Sequence, residues 1–330
     1  MIDDKDLLEL INYIYDFNES FMKSHETLTF FELTTIMAFL YYSRKKADIA
    51  VIECGLGGRL DATNVIKPLV SIITSISKDH MDVLGNSYKK ILKEKLGIVK
   101  IGVPLVTPVD REELMDIIKD YTWNHNSELH LVRNVRSIKL KDNGTSFTYK
   151  GEAYDLSLIG LYQPYNAASA IEAIEILNEK HGFNISKESI KEALKNTVFP
   201  GRFEVLDNGN IILDGGHNED ALNKCLQTLS RYTHKNIISV FGCMKDKDYH
   251  TMVKILDKFT SLQIFTKVNY PRALNPKELL SISLNNNKFT CENIEEAIKF
   301  AKKKRTKNDI IIIHGSLYLV SDAREILVRS

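Results

Sequence analysis

Cysteine is scarce in this chain of 330 residues: Cys54, Cys225, Cys243 and Cys291 stand far apart. Their spacing fits neither a disulfide framework nor a zinc site, which points to reduced thiols packed inside a cytosolic protein. No apolar run approaches the ~20 residues that a membrane-spanning helix needs. Asp3, Asp4, Asp6 and Glu9 exclude a basic, apolar secretion signal at the start. Excess charge is missing too. A net charge of +1, with 26% charged and 44% hydrophobic residues, offers no special attraction to nucleic acid or an anionic membrane. The expectation is a soluble, cytoplasmic, monomeric protein of about two domains that works on small molecules.

The most informative stretch is Val51-Ile-Glu-Cys-Gly-Leu-Gly-Gly-Arg-Leu-Asp-Ala-Thr-Asn64. Residues Asp48 to Cys54 read as a fully buried parallel strand that ends in an acid, Glu53. The glycines behind it allow a tight turn and a close approach of backbone to a bound group. As a dinucleotide fingerprint the match is weak, because Leu60 stands where a third glycine or alanine is wanted. A carboxylate at a strand end followed by this polar loop instead suggests a metal or phosphate site.

Around that stretch the periodicities are those of an α/β protein. Leu7, Leu8, Ile11, Ile14, Phe17 and Phe21 recur at helical spacing between Asp4 and Lys23. Thr29-Phe-Phe-Glu32 has the form of a capping box, opening a helix to about Lys46 that is apolar on nearly every side and expected to be buried. A second strand is expected over Leu69 to Ser75, with Asp79-His80 just beyond it. If it neighbours the first strand, Glu53 and His80 emerge on one sheet edge. In the helix Ser87 to Val99, Lys95 is flanked by Leu92, Leu96 and Val99 and points further inward than the other lysines. A desolvated lysine loses its proton more readily and becomes nucleophilic.

A strand at Val103 to Val106 and a helix at Arg111 to Asn124 follow. The period then changes to two over Leu129 to Leu158, around an Asp142-Asn-Gly144 turn, the mark of an antiparallel flap. A helix runs from Gln163 to a glycine stop at Gly182, with Asn166 on its alanine-rich packing face, and Ser186 caps another that ends near Asn196. Pro200-Gly201 marks a boundary, giving domains 1–197 and 198–330. Beyond it, strands at Ile211–Leu213, Asn236–Gly242, Leu262–Thr266 and Asp309–Ile313 alternate with helices, the pattern of a second doubly wound unit. Asp214-Gly-Gly-His217-Asn218 follows the first of these strands, just downstream of Arg202. Together with Glu53 and His80 it suggests a cleft between two domains.

These motifs, with Glu94-Lys95-Leu-Gly97, Gln163-x-x-Asn166-Ala-Ala, Pro200-Gly-Arg202 and Gly315-Ser-Leu-Tyr318, make the chain resemble the dihydrofolate synthase and folylpolyglutamate synthase family of the Mur ligase superfamily. Order and spacing agree over nearly the whole length. The resemblance implies a Mur ligase-like central ATPase domain, a parallel sheet with a small antiparallel flap, joined to a Rossmann-like C-terminal domain. It implies an ATP-dependent ligase: ATP phosphorylates the carboxylate of dihydropteroate or a folate, and L-glutamate displaces the phosphate to form an amide. It implies Mg2+ held by Glu53, His80 and Lys95, the last as a carbamate, which is an oxygen donor suited to a hard cation. Lys95 and His217 would then be catalytic, with Asn166, Arg202 and Asp214 on the nucleotide. Thr29, Phe30, Phe31, Glu32, Leu60, Asp61 and Ala62 would line a pterin pocket.

One departure stands out. The family opens with a strand, a glycine-rich phosphate loop and a serine that also binds metal, yet no Gly-Lys-Ser or Gly-Lys-Thr occurs here. One oxyanion-type donor is worth about 10²- to 10³-fold in rate. A central strand of about five apolar side chains contributes on the order of 10 kcal/mol, against about 5 to 15 kcal/mol of net stability in a typical domain. The expectation is a truncated reading frame, inactive alone, or one whose front a second chain supplies. Rival readings are a non-catalytic folate- or glutamate-binding remnant and a ligase of peptidoglycan precursors.

Overall fold

A computed structural model describes residues 2–22 and 27–329. The expected end of the first helix, Lys23, lies outside the described residues. Helix α1 (Asp4–Phe21) starts at Asp3, whose carboxylate accepts the Asp6 amide at 2.8 Å, and buries Leu10 and Ile14 toward α2 (Phe30–Lys45). The capping box that opens α2 forms in full. Glu32 N–H donates to Thr29 Oγ1 at 3.2 Å, and Thr29 N–H donates to Glu32 Oε2 at 2.7 Å. Burial of α2 is not as its composition led one to expect: only Thr35 is buried. The helix packs on α1 and on a short 3-10 turn at Ala62–Val65, which leaves Ile36, Met37, Phe39 and Leu40 only half-buried.

The expected strand at 48–54 does not form either. The segment joins no sheet, and Val51 is 92% exposed. Apolar sequence prescribes a strand's faces, but a strand exists only when a neighbour takes its backbone N–H and C=O groups. The second expected strand is cut to β1 (Ser71–Ile72), which pairs in parallel with β2 (Leu105–Thr107), itself paired with β3 (Leu129–Leu131). The short α3 (Met81–Leu84), α4 (Tyr88–Leu96) and α5 (Glu112–Asn124) flank this sheet. Their core gathers Ile73, Ile91, Leu92, Leu96, Leu105, Leu114 and Ile118, each worth about 1.5–3 kcal/mol when fully buried.

The expected flap forms only over the later part of its stretch: β4 (Arg136–Lys141), β5 (Gly144–Tyr149) and β6 (Glu152–Leu156) form an antiparallel sheet, whereas Leu129–Leu131 pair in parallel with β2 instead. Phe147 and Tyr149 on its inner face pack with Ala167, Ala168 and Ile171 of α6 (Gln163–His181). That helix stops at Gly182, and α7 (Lys187–Asn196) follows with Ser186 as its cap.

The second domain is doubly wound. Its strands are β7 (Glu204–Leu206), β8 (Ile211–Asp214), β9 (Asn236–Phe241), β10 (Leu262–Thr266), β11 (Lys288–Cys291) and β12 (Asp309–His314), in spatial order β11-β10-β9-β12-β8-β7. All pairings are parallel except that of the edge strand β7 with β8. Helices α8 (Glu219–Tyr232), α9 (Tyr249–Phe259) and α10 (Pro276–Ile282) cover one face. The other is covered by α11 (Ile294–Lys304) and α12 (Leu317–Arg329). Every residue of β12 is buried, the burial that near-continuous isoleucine requires of a central parallel strand. No described helix is long and apolar enough to cross a membrane. All four cysteines are free; Cys225 and Cys243 are buried as expected, while Cys54 and Cys291 are only half-buried.

Candidate active site between the domains

Two arrangements carry the candidate chemistry, one within the first domain and one between the domains. The first is a cavity of about 360 Å³ lined by Thr29, Phe31 and Glu32 from the start of α2 and by Leu60, Asp61 and Ala62 from the glycine loop, with Arg59 and Glu94 also on its wall. Six of the seven side chains expected around a pterin are thus brought together, although separated by some thirty residues of sequence. Phe30 is the exception: it is 82% exposed and not on the wall. In a helix the neighbour of an inward-facing residue points about 100° away.

The loop is shaped by close packing and hydrogen bonds. Gly97, just past α4, lies against Arg59, and a Cβ there would fall 2.4 Å from the Arg59 Cα. Arg59 N–H donates to the Glu94 carbonyl at 2.8 Å, while its guanidinium pairs with the Glu94 carboxylate at 3.1 Å. Asn64 Nδ2 donates to the carbonyls of Arg59 and Gly97. Asp61 accepts from the Leu56 amide at 2.8 Å and from the Thr63 amide and hydroxyl at 3.0 and 2.6 Å. Burial alone would raise the Asp61 pKa; the Thr63 hydroxyl and the amides of Leu56, Thr63 and Gly55 outweigh it and hold the carboxyl below its ordinary value. A depressed carboxylate pKa contributes stability in full above the unfolded value and loses it as pH falls through the folded one. The loop is therefore expected to keep its shape down to about pH 4 and to loosen below it. NMR titration of the Leu56 and Thr63 amides would show one shared midpoint below about 3.9; separate midpoints, or one above that value, would contradict it.

The second arrangement is a carboxylate shared between domains. Asp79 Oδ2 accepts from Asn218 Nδ2 at 3.0 Å and lies 3.3 Å from His217 Nε2; Oδ1 accepts from Lys247 Nζ at 2.8 Å and from the His80 amide at 2.9 Å. Burial would raise the Asp79 pKa, but His217, Lys247 and Asn218 together drive it far below the carboxylate range. His80 has a left-handed backbone, φ 48°. Lys247 is not among the residues that motif reading singled out. Its signal was a run of charge, Met244-Lys-Asp-Lys-Asp248, directly behind an apolar strand.

Of the expected nucleotide contacts, Arg202 and Asp214 come together. Asp214 is buried, accepts the amides of Gly216 at 2.9 Å and Phe203 at 3.0 Å, and has its pKa raised by burial against the pull of those amides. The Arg202 guanidinium lies beside Gly215, and the His217 Nδ1 is 3.2 Å from the Gly215 carbonyl. Asn166 departs from its expected place on a packing face: it is exposed, donating to Gln163 Oε1 at 3.1 Å, while Gln163 is the buried amide. Behind the crevice His314 is wholly buried, 2.8 Å from Ser239 Oγ, and burial pushes its pKa down to about 3. It is a neutral packing group.

Of the expected metal ligands, Glu53 offers oxygen and His80 a ring nitrogen, while Lys95 would offer oxygen only as a carbamate; among the described residues the Glu53 and Lys95 side chains have no hydrogen bond or ion pair to give up. They do not form a closed shell: no three His, Cys, Asp or Glu residues cluster as metal ligands among the described residues. With 48–54 outside the sheet, the shared edge expected to set Glu53 beside His80 is not formed. Such a set fits a Mg2+ that keeps several waters and draws further oxygens from substrate phosphates.

The Mur ligase middle domain family matches residues 7–174, and the Mur ligase glutamate ligase domain family matches residues 201–317. The dihydrofolate synthase/folylpolyglutamate synthase of Bacillus subtilis (strain 168) is 38% identical over 308 residues, which is 90% of this chain and 72% of that protein. The folylpolyglutamate synthase of Lacticaseibacillus casei is 32% identical over 91% of this chain and 72% of its own length. Among solved structures, Thermotoga maritima folylpolyglutamate synthase superimposes with a TM-score of 0.81 at 31% identity, covering 99% of this chain and 77% of that one. A complex described as FPGS–AMPPCP–folate gives a TM-score of 0.86 at 27% identity, covering 99% and 78%.

Proposed function

From the premise that the chain belongs to the dihydrofolate synthase/folylpolyglutamate synthase family of the Mur ligases, we propose how its cleft serves that family's ATP-dependent joining of glutamate to folates. The cavity walled by Thr29, Phe31, Glu32, Leu60, Asp61 and Ala62 takes the pterin end of dihydropteroate or a folate, whose carboxylate points toward the interdomain cleft. Gathering of these residues on the wall of one cavity is the observation that supports the reading. Arg202 binds the nucleotide from the second domain, Asn166 borders it from the first, and Asp214 shapes the Gly215–Gly216 turn between them. A carboxylate oxygen of the substrate attacks the γ-phosphorus of ATP, ADP leaves, and the glutamate nitrogen then displaces phosphate from the acyl carbon. His217 has Nδ1 at the Gly215 carbonyl and Nε2 at the Asp79 carboxylate, so it would take the proton released from that nitrogen only once Nε2 has parted from Asp79 and given up its own proton. Glu53, His80 and Lys95, the last as a carbamate, would hold Mg2+, which when bound neutralises charge on the transferring phosphoryl group.

The test is ligation by the purified protein. Glutamate is expected to be joined to dihydropteroate or a reduced folate with one ADP formed per amide. Phe31→Ala is expected to raise the pterin substrate's KM about tenfold with little change in kcat, since losing one aromatic contact costs about 1 kcal/mol or somewhat more. Turnover with peptidoglycan precursors and none with pterins would overturn the reading.

A further inference from the structure

The imidazole proposed to hold a divalent cation already faces a cation of the chain itself. Lys247 stands in the turn between β9 and α9 and crosses from the second domain to the first, with 10% of its side chain exposed. Its Nζ lies 2.8 Å from Asp79 Oδ1 and 3.5 Å from His80 Nε2, across 168 residues of sequence from Asp79. A shielded ammonium needs a carboxylate, and Asp79 provides one. The His80 Nε2 lies 3.9 Å from that same Asp79 oxygen, beyond hydrogen-bond distance, so the carboxylate alone does not account for the imidazole's approach to Lys247. An ammonium has three hydrogens to donate and no lone pair, so the ring nitrogen turned toward it presents its own lone pair, the one through which imidazole binds metals.

We propose that the Lys247 ammonium and a divalent cation are alternative occupants of the His80 Nε2 lone pair, so that metal loading and release of Lys247 from the interdomain clasp are one event. The proposal rests on the reading of His80 as a metal ligand. One lone pair serves one partner, and a single and a double positive charge a few ångströms apart repel strongly. Without metal, Lys247 balances Asp79 and bridges the domains. With metal, the ammonium withdraws, while Asn218 and His217 remain to hold the second Asp79 oxygen. Metal at the first domain thereby loosens one of the three side chains that the second domain extends to Asp79. The coupling is reciprocal: whatever Lys247 costs the metal in affinity, the metal costs Lys247 in contact with His80.

Mn2+ serves as the probe, with bound ion measured by electron paramagnetic resonance without nucleotide. Lys247→Met is expected to bind Mn2+ about tenfold more tightly than the wild type, or better, because the nearest competing charge is gone. In the wild type, mass-spectrometric labelling of the Lys247 amine is expected to accelerate several-fold when Mn2+ is added. That second measurement keeps the proposal testable should the variant fail to fold. Unchanged affinity in Lys247→Met, or labelling indifferent to Mn2+, overturns the proposal. His80→Ala separates the two layers. If it abolishes Mn2+ binding while Lys247→Met changes nothing, the exchange fails and the ligand reading stands. If it leaves binding unchanged, or none of the proteins binds Mn2+, the ligand reading fails and the exchange with it.

Discussion

Lys95→Met is expected to lower glutamate ligation by about 10²- to 10³-fold, the scale on which loss of one stabiliser of transition-state charge is felt. Lys95 lies in the last turn of α4, between Glu94, whose carboxylate is committed to Arg59, and the buried Leu96. Its side chain is half-buried and makes no internal ion pair or hydrogen bond, whereas Lys141, Lys150, Lys180, Lys187 and Lys191 each pair with an acid. Removing it therefore breaks no contact, and the change in stability should stay within about 0.5 kcal/mol. If the amine acts as a carbamate, a short carboxylic acid supplied to Lys95→Ala should restore part of the lost kcat by placing an oxygen donor in the vacated space. Steady-state kinetics with and without added propionate decide. Activity within threefold of wild type would remove Lys95 from the reaction.

A large effect on stability is expected at Gly315, the residue joining β12 to the turn that carries Ser316 and Tyr318. Its φ is +103°, and a Cβ there would lie 2.6 Å from the Gly242 carbonyl oxygen and 2.6 Å from the Phe241 ring. Backbone of a central strand cannot retreat as a flexible side chain would. Gly315→Ala adds about 1–3 kcal/mol of backbone strain to about 1–3 kcal/mol of overpacking, so a loss of about 3 kcal/mol or more is expected. For a domain of this size that is a fall of roughly 10 °C in Tm. Gly182→Ala is the control, with φ +72° and nothing within 4 Å of the added carbon. It should cost only about 1 kcal/mol. Calorimetry showing the two variants equally stable would refute the packing argument.

Much of this was legible in the chain. The period-two alternation gave the flap, and buried runs of isoleucine gave the central strands of the second domain. Thr29 and Glu32 announced the start of α2, and the pocket residues came together as their motifs implied, apart from Phe30. The errors share a cause. Apolar residues at 48–54 and around α2 were taken to mean burial, yet Val51 is 92% exposed and only Thr35 of α2 is buried. An apolar segment records a demand for a partner and says nothing about whether one is alongside. Edge strands β7 and β11 escaped notice because short, half-exposed strands carry little hydrophobic pattern.

What the sequence determined alone was local: where helices start and stop, and the order, that of a folate ligase, in which acids, imidazoles and amines follow one another along the chain. Tertiary structure decided which of these groups face one another. Asp79 receives Asn218 and Lys247 from 139 and 168 residues away, and it is their convergence that holds the two domains together at the cleft. Hydrogen-bond geometry within a turn or helix is set by neighbours in the chain, whereas a contact across such distances exists only after both domains have packed.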